Sequence, residues 1–214
     1  MKIKILLTGV IVCFLLSGCG KQTKSDSIKV TTLEGSYSID VDSYSELAGD
    51  ADYVIIGKII DELTTNYKWP VILENEDGTE REDTIPYTDY SVEVLNNLKG
   101  ELTQESPITI TKVGGVTKNG DMYILYENDI LPSIGGSYVF NIYAQDDGSN
   151  LVSGPNSTIP IDNVSQTKAT TRFIQEENRD HESILEQVID GVNNPIIITQ
   201  RNRSISNDDI STSN

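Results

Sequence analysis

Asp89-Tyr90-Ser91-Val92-Glu93-Val94 alternates polar and apolar side chains with a period of two. In an extended strand successive side chains point to opposite faces, so Tyr90, Val92 and Val94 share one face while Asp89, Ser91 and Glu93 share the other. A strand written this way packs one side and wets the other, the habit of antiparallel sheets. The pattern recurs downstream. Ile108 and Ile110 alternate with Thr109 and Thr111, and Tyr138, Phe140 and Ile142 alternate with Val139 and Asn141. Upstream, Tyr53-Val54-Ile55-Ile56-Gly57-Lys58-Ile59-Ile60 is a β-branched run that reads as a buried strand, with Gly57 marking a bulge or a close backbone approach. Met122 to Tyr126 and Leu151-Val152 read as further short strands, punctuated by Lys99-Gly100, Gly114-Gly115, Gly135-Gly136 and Asp146-Asp147-Gly148-Ser149-Asn150. No helical crossovers separate them, so the spacing predicts a mainly β fold, a small antiparallel barrel or sandwich.

Two helices frame these strands. Ser43-Tyr44-Ser45-Glu46 has the Ser-x-x-Glu form of a capping box and predicts a short helix through Ala51. Asp180 is placed to cap a second helix through Asp190, with Ile184, Leu185, Val188 and Ile189 on a narrow apolar stripe that docks on the strands and Gly191 as its stop. Pro195-Ile196-Ile197-Ile198-Thr199 reads as an edge strand with its Pro at the start. Residues 36–199 therefore read as a single β-rich domain with a C-terminal helix. Residues 200–214, rich in Asn, Ser and Asp and without periodicity, read as a disordered tail.

The first residues carry a different message. Met1-Lys2-Ile3-Lys4 precedes an apolar run from Ile5 to Leu16, the layout of a secretory signal peptide, too short and wrongly flanked for a transmembrane helix. Leu16-Ser17-Gly18-Cys19 resembles the lipobox of bacterial lipoproteins. That resemblance implies cleavage between Gly18 and Cys19, removal of residues 1–18, and a diacylglyceryl group on the Cys19 thiol. Two acyl chains hold a protein stably to a membrane where one holds it only marginally. Cys13 would leave with the signal peptide, so the mature chain has no spare thiol for a disulfide, a catalytic cysteine or a thiolate zinc site. Residues 19–35 are polar and read as a flexible tether.

Composition removes other classes. Sixteen Lys and Arg against 33 Asp and Glu give a net charge of −17, the wrong sign for a nucleic-acid partner, and removal of Lys2 and Lys4 makes the mature chain more acidic still. The single histidine, His181, sits at a helix start without a second ligand beside it. No nucleophile elbow, zinc-protease, phosphate-loop or dinucleotide signature is present, so neither a catalytic set nor a cofactor or metal site is expected. Asp146, Asp147, Ser149 and Asn150, and Glu74, Glu76 and Asp77, offer oxygen ligands for calcium, but neither stretch has EF-hand spacing, and both read as acidic turns.

Between the first two confident strands, Asp61 to Pro86 is a long connection of the kind that is functional or disordered when unstructured. It holds the chain's only Trp, in Tyr67-Lys68-Trp69-Pro70, and Tyr67 and Trp69 are the expected ligand-binding pair, with an extra hairpin arm packed on the body as the competing reading. The order Ala51 to Ile59, Leu98-Lys99-Gly100, Ile108 to Gly115 and Gly136 to Phe140 is similar to a loosely defined group of exported bacterial β-barrel domains, OB-like or similar to tissue-inhibitor-type barrels. The resemblance implies an OB-like fold and assigns no activity. The functional expectation is a lipid-anchored, extracytoplasmic binding or interaction module. It sits on the outer face of a bacterial cell membrane, Gram-positive by the bias toward Ile, Asn, Lys, Ser and Thr. Its partners are the membrane, through Cys19, and a cell-envelope protein, peptide or glycan, with no nucleic acid. A carboxylate-dependent surface hydrolase and an inhibitor- or immunity-type lipoprotein remain alternatives.

Overall fold

The alternating apolar positions converge on one core: Tyr90, Val92, Val94, Ile108, Ile110, Tyr138, Phe140 and Ile142 are buried together with Ile55, Ile59 and Val152. The structure, a computed structural model, describes residues 29–75, 77–161, 181–198 and 202–211. The expected signal peptide, Gly18 and Cys19, the start of the tether, Glu76, the Asp180 cap and residues 199–201 and 212–214 lie outside the described residues, as does the His181 side chain.

The elements in chain order are β1 (Lys29–Leu33), α1 (Tyr44–Asp50), β2 (Tyr53–Glu74), β3 (Glu80–Lys99), β4 (Ile108–Val113), β5 (Gly115–Val116), β6 (Met122–Tyr126), β7 (Ser137–Ala144), β8 (Asn150–Val152), β9 (Thr158–Pro160) and α2 (His181–Asn193). Six strands form one sheet in the order β2-β3-β4-β8-β7-β9, with β2 also paired to β7, and β1-β6-β5 form a second. The sheets are mixed, which corrects the antiparallel expectation: β4 runs parallel to β8, and β1 parallel to β6. Hairpins force β2–β3 and β7–β8 to be antiparallel, whereas no tight turn joins the two parallel pairs, so nothing local sets their direction.

Asp61 to Pro86 is not a loop. β2 and β3 pair from Val54↔Lys99 to Glu74↔Glu80, and register shifts at Ile59/Asp61, Glu62/Thr64 and Lys68/Pro70 absorb the residues that break alternation. The outer part of this arm packs on the small sheet through Leu73 and Val71 against Met122, Ile124 and Leu33. Arg81 grips Asp121 with two bonds of 2.6 and 3.0 Å. At the arm's base Gly57 follows a register shift, and a Cβ there would stand 2.6 Å from Val92 Cγ1, so only glycine lets β2 pass the core.

Ser43 Oγ accepts the Glu46 amide at 3.3 Å, while the Glu46 carboxylate reaches past Ser43 to the Asp40 amide at 2.6 Å, a wider version of the capping box. α2 lies on α1, and Val188 is buried with Ala48, Ala51, Val54, Val139 and Ile159. The second face of β7 is therefore covered where alternation predicted water. α2 also runs beyond Gly191 to Asn193: Gly191 serves close packing, since a Cβ would meet the Tyr44 carbonyl carbon at 2.7 Å.

Three further expectations are corrected. Residues 29–33, assigned to the tether, form β1, because β6 offers an edge for them to pair with and Lys29 Nζ donates to the Glu74 carbonyl at 3.0 Å. Residues 195–198 are not a strand; they follow α1, with the Ile196 amide donating to the Ser45 carbonyl at 2.9 Å. Residues 202–211, read as disordered, are laid against the end of the large sheet. Leu102 bridges Asp209, the Thr103 amide donates to the Asp208 carbonyl and the Asn207 amide to the Gly148 carbonyl, each at 2.9 Å. The Tyr53 hydroxyl donates to Asp209 Oδ2 at 2.6 Å and accepts from the Ser206 amide at 3.1 Å. These bonds involve main chain and short polar side chains, so no apolar periodicity announces them.

Candidate functional site

Trp69 is the inserted residue of the Lys68/Pro70 bulge, with a left-handed backbone (φ +54°) and a side chain left 68% exposed. Its indole N–H donates to the Tyr87 hydroxyl on β3, and Lys68 Nζ stands 5.0 Å from the centre of the Tyr87 ring. Burial raises the Tyr87 hydroxyl pKa, Tyr126 adds to it, and the bond from Trp69 pulls it back. Tyr67 sits opposite Pro86, one residue out of phase with Tyr87. Strand alternation therefore turns Tyr67 to the face of the arm away from Tyr87.

Trp69 instead begins a different aromatic run. Beyond it, Tyr126 at the end of β6 is near enough to raise the Tyr87 hydroxyl pKa, and the Tyr37 ring lies edge-on to Tyr126 at 6.4 Å and 71°. Tyr37 separates two clefts of about 290 Å³ each. The first is lined by Tyr126, Tyr143, Asp50 and Ser153, the second by Glu34, Glu127 and Asn128, and Val41 and Pro155 border both. Among the described residues no Lys, Arg or His lines either cleft.

Backbone strain gathers at the same face. Trp69, Asn128 (φ +56°) and Asn156 (φ +52°) are the non-glycine residues with positive φ among the described residues. Asn128 lines the second cleft, and Asn156 follows Pro155 and donates its side-chain amide to the Val41 carbonyl at 3.0 Å. A left-handed Trp costs conformational energy that the surroundings must enforce, and such residues concentrate at working surfaces.

Beneath the clefts a buried ionic cluster fixes both Asn turns. Lys112 on β4 and Asp129 are ion-paired with neither side chain exposed, and Lys112 Nζ donates to Ser157 Oγ at 2.7 Å. Burial pulls the Lys112 ammonium pKa down and pushes the Asp129 carboxyl up, each opposed by attraction to the other. Serine beside lysine is the geometry of a nucleophile and its base. Here Ser157 is 1% exposed and Asp129 holds the lysine, so no substrate reaches the hydroxyl, and the cluster is an anchor for the loops above it.

The acidic turns are spoken for. Asp77 Oδ1 accepts the Thr79 amide and hydroxyl, and Asp147 Oδ1 accepts those of Ser149, and these bonds hold both carboxyls below their usual range. Among the described residues no group of three or more His, Cys, Asp or Glu is arranged to hold a metal. Sequence reading missed Tyr37, Tyr87, Tyr126, Tyr143 and Asp50. The available signal was compositional: ten Tyr against three Phe is an excess of the ring that exposes a hydrophobic face and a polar tip. Comparison with known protein families and with curated proteins finds no match to this chain.

Proposed function

We propose that this chain is a lipid-anchored, extracytoplasmic binding module that takes a cell-envelope ligand on the face running from Trp69 through Tyr87 and Tyr126 to Tyr37. The observation that carries this reading is the edge-on Tyr37–Tyr126 pair between two clefts, together with the Trp69–Tyr87 bond on the arm, with positive-φ backbone at Trp69 and at the cleft residue Asn128. Amphipathic rings held by a rigid sheet stack on sugars and on peptide side chains at small entropic cost.

Two further features support it. The pairing order β2-β3-β4-β8-β7, with β2 also joined to β7 and β4 parallel to β8, is the order an OB-like barrel would have. In that fold the second and third strands, here β3 and β4, frame the ligand, and Tyr87 stands on the first of them. The anchor reading adds orientation. With acylation at Cys19, ten residues precede Lys29, a reach of roughly 17 Å by coil scaling, and Lys29 sits at the arm's tip beside Glu74. The arm then points toward the membrane, and the aromatic face stands farther out.

The hydrolase alternative has Glu34 and Glu127 on one cleft, but both are exposed, whereas glycoside hydrolysis calls for one acid in an apolar pocket. The test has two arms. Fatty-acid labelling of the expressed protein should disappear in Cys19→Ser, and retained labelling sinks the anchor. Co-sedimentation with purified cell-wall sacculi should fall in Trp69→Ala and Tyr87→Ala with the circular dichroism unchanged; equal binding by both variants removes the face.

A further inference from the structure

Away from the aromatic face, the Lys112–Asp129–Ser157 cluster holds an amine against a carboxyl with neither side chain reaching solvent. Register fixes the lysine: Lys112 pairs with Thr88 on β3 and with Val152 on β8, so its backbone is held on both sides. Asp129 is held as firmly. Its amide donates to the Tyr126 carbonyl at 3.2 Å, and its carboxylate accepts from the Lys112 ammonium, the Ile130 amide and, at 3.3 and 3.5 Å, the Ser157 hydroxyl. Ser157 thus touches both partners, since its Oγ also accepts from Lys112 Nζ at 2.7 Å. Groups held in contact this way react as though highly concentrated, with effective molarities that reach about 10⁵–10⁸ M. Burial also moves both toward their uncharged forms, lowering the Lys112 pKa and raising that of Asp129 against their mutual attraction. A desolvated, uncharged amine is a nucleophile, and a carboxylic acid is the form it condenses with.

From this geometry we propose that the Lys112 and Asp129 side chains condense to an intramolecular amide, a covalent cross-link between β4 and the turn that follows β6. One proton first passes from the ammonium to the carboxylate, with Ser157 Oγ bonded to both as the bridge. The Lys112 Nζ lone pair then attacks the Asp129 carboxyl carbon. An N–C bond forms, a C–O bond breaks, and the hydroxyl leaves with one amine proton as water. Nothing is oxidised or reduced, and no co-reactant is consumed. Burial excludes the water that the reverse hydrolysis needs. The charged pair is the state in which the chain folds, and the amide follows as the folded protein ages. Residues 20–214 contain no cysteine, so no disulfide braces the domain. The amide braces it instead, closing residues 112–129 into a loop that carries β5, β6 and, at the second cleft, Asn128.

The cross-link stands independently of the ligand face and is read on the full chain by mass spectrometry. Folded protein is incubated for days at neutral pH, then denatured and digested with trypsin. Without the cross-link, trypsin cuts after Lys99, Lys112, Lys118 and Lys168 and releases residues 100–112, 113–118 and 119–168 separately. With it, Lys112 is no longer a cleavage site, and residues 100–118 stay joined to 119–168 in a product lighter than the two peptides by one water. Fragmentation should place the link on Lys112 and Asp129. Protein kept in urea should show no joined product until it is refolded, and Lys112→Met should release 119–168 free at full mass. The wild-type result stands whether or not that variant folds. Free 100–112 and 119–168 at full mass from aged, folded wild type overturn the proposal. So does a free 119–168 lighter by one water, which marks dehydration of an aspartate such as Asp147 before Gly148. A joined product that forms equally in urea, or that persists in Lys112→Met, overturns it as well.

Discussion

Replacing Asp129 by Asn keeps the shape of the buried cluster and removes its negative charge. Lys112 then remains in a site where its side chain has no exposed surface, facing a neutral amide and Ser157 Oγ in place of a carboxylate. Breaking one half of a buried pair costs about 3–5 kcal/mol, a large share of the 5–15 kcal/mol that holds a typical domain. With a urea dependence of about 2 kcal/mol per molar, the unfolding midpoint should fall by about 1.5–2.5 M. The loss should shrink as pH rises from 7 toward 10. Burial already lowers the Lys112 pKa, and without Asp129 the folded value falls further below the unfolded one, so the unfolded chain binds the extra proton and stability climbs with pH. Lys112→Met with Asp129→Leu and Ser157→Ala, which leaves no polar atom behind, should return to within about 1 kcal/mol of wild type. Urea unfolding followed by tyrosine fluorescence at several pH values reads all of this. A cost below about 1 kcal/mol for Asp129→Asn, or a triple variant no better than the single, would refute the view that this pair is a desolvated anchor.

Other outcomes follow from the same geometry. Leu73→Ala should cost about 2–4 kcal/mol and open the arm to limited proteolysis near residue 76, because Leu73 is buried against Met122 and Ile124. Arg81→Ala should cost under about 1 kcal/mol despite its two bonds to Asp121, since Asp121 is half in water. The Tyr53 hydroxyl, pushed up to about 12 by burial and by Asp209, stabilises the docked 202–211 segment below pH 10 and stops doing so as pH rises through 12. Hydrogen exchange at Ser206 and Asn207 should accelerate over that window, and in Tyr53→Phe it should be fast at neutral pH; slow exchange in the variant would contradict it.

The core was legible because burial on one face of a strand writes itself as alternation, at Tyr90, Val92 and Val94 and at Ile108 and Ile110. The arm was not. Between Asp61 and Pro86 the strands are held by main-chain pairing through two register shifts, and Pro70 and Pro86 interrupt the pattern that pairing would otherwise leave. Residues 202–211 hid for the same reason, being held by polar bonds rather than by a core. Lys112 shares the inward face of Ile108 and Ile110, where its charge would suggest water, and its tertiary partner Asp129 explains its burial. At the site, Trp69 stood out as the one tryptophan, but its partners come from positions 37, 87 and 126. Topology brings these together, and no local pattern links them.

Hydrogen–deuterium exchange of the intact protein, with and without purified cell-wall sacculi, tests the central claim most directly. The account predicts slowed exchange confined to the segments that carry the aromatic face, near residues 33–41, 66–70, 85–88 and 124–129. Protection that instead falls at residues 100–107 and 206–211, or no protection anywhere, would contradict it.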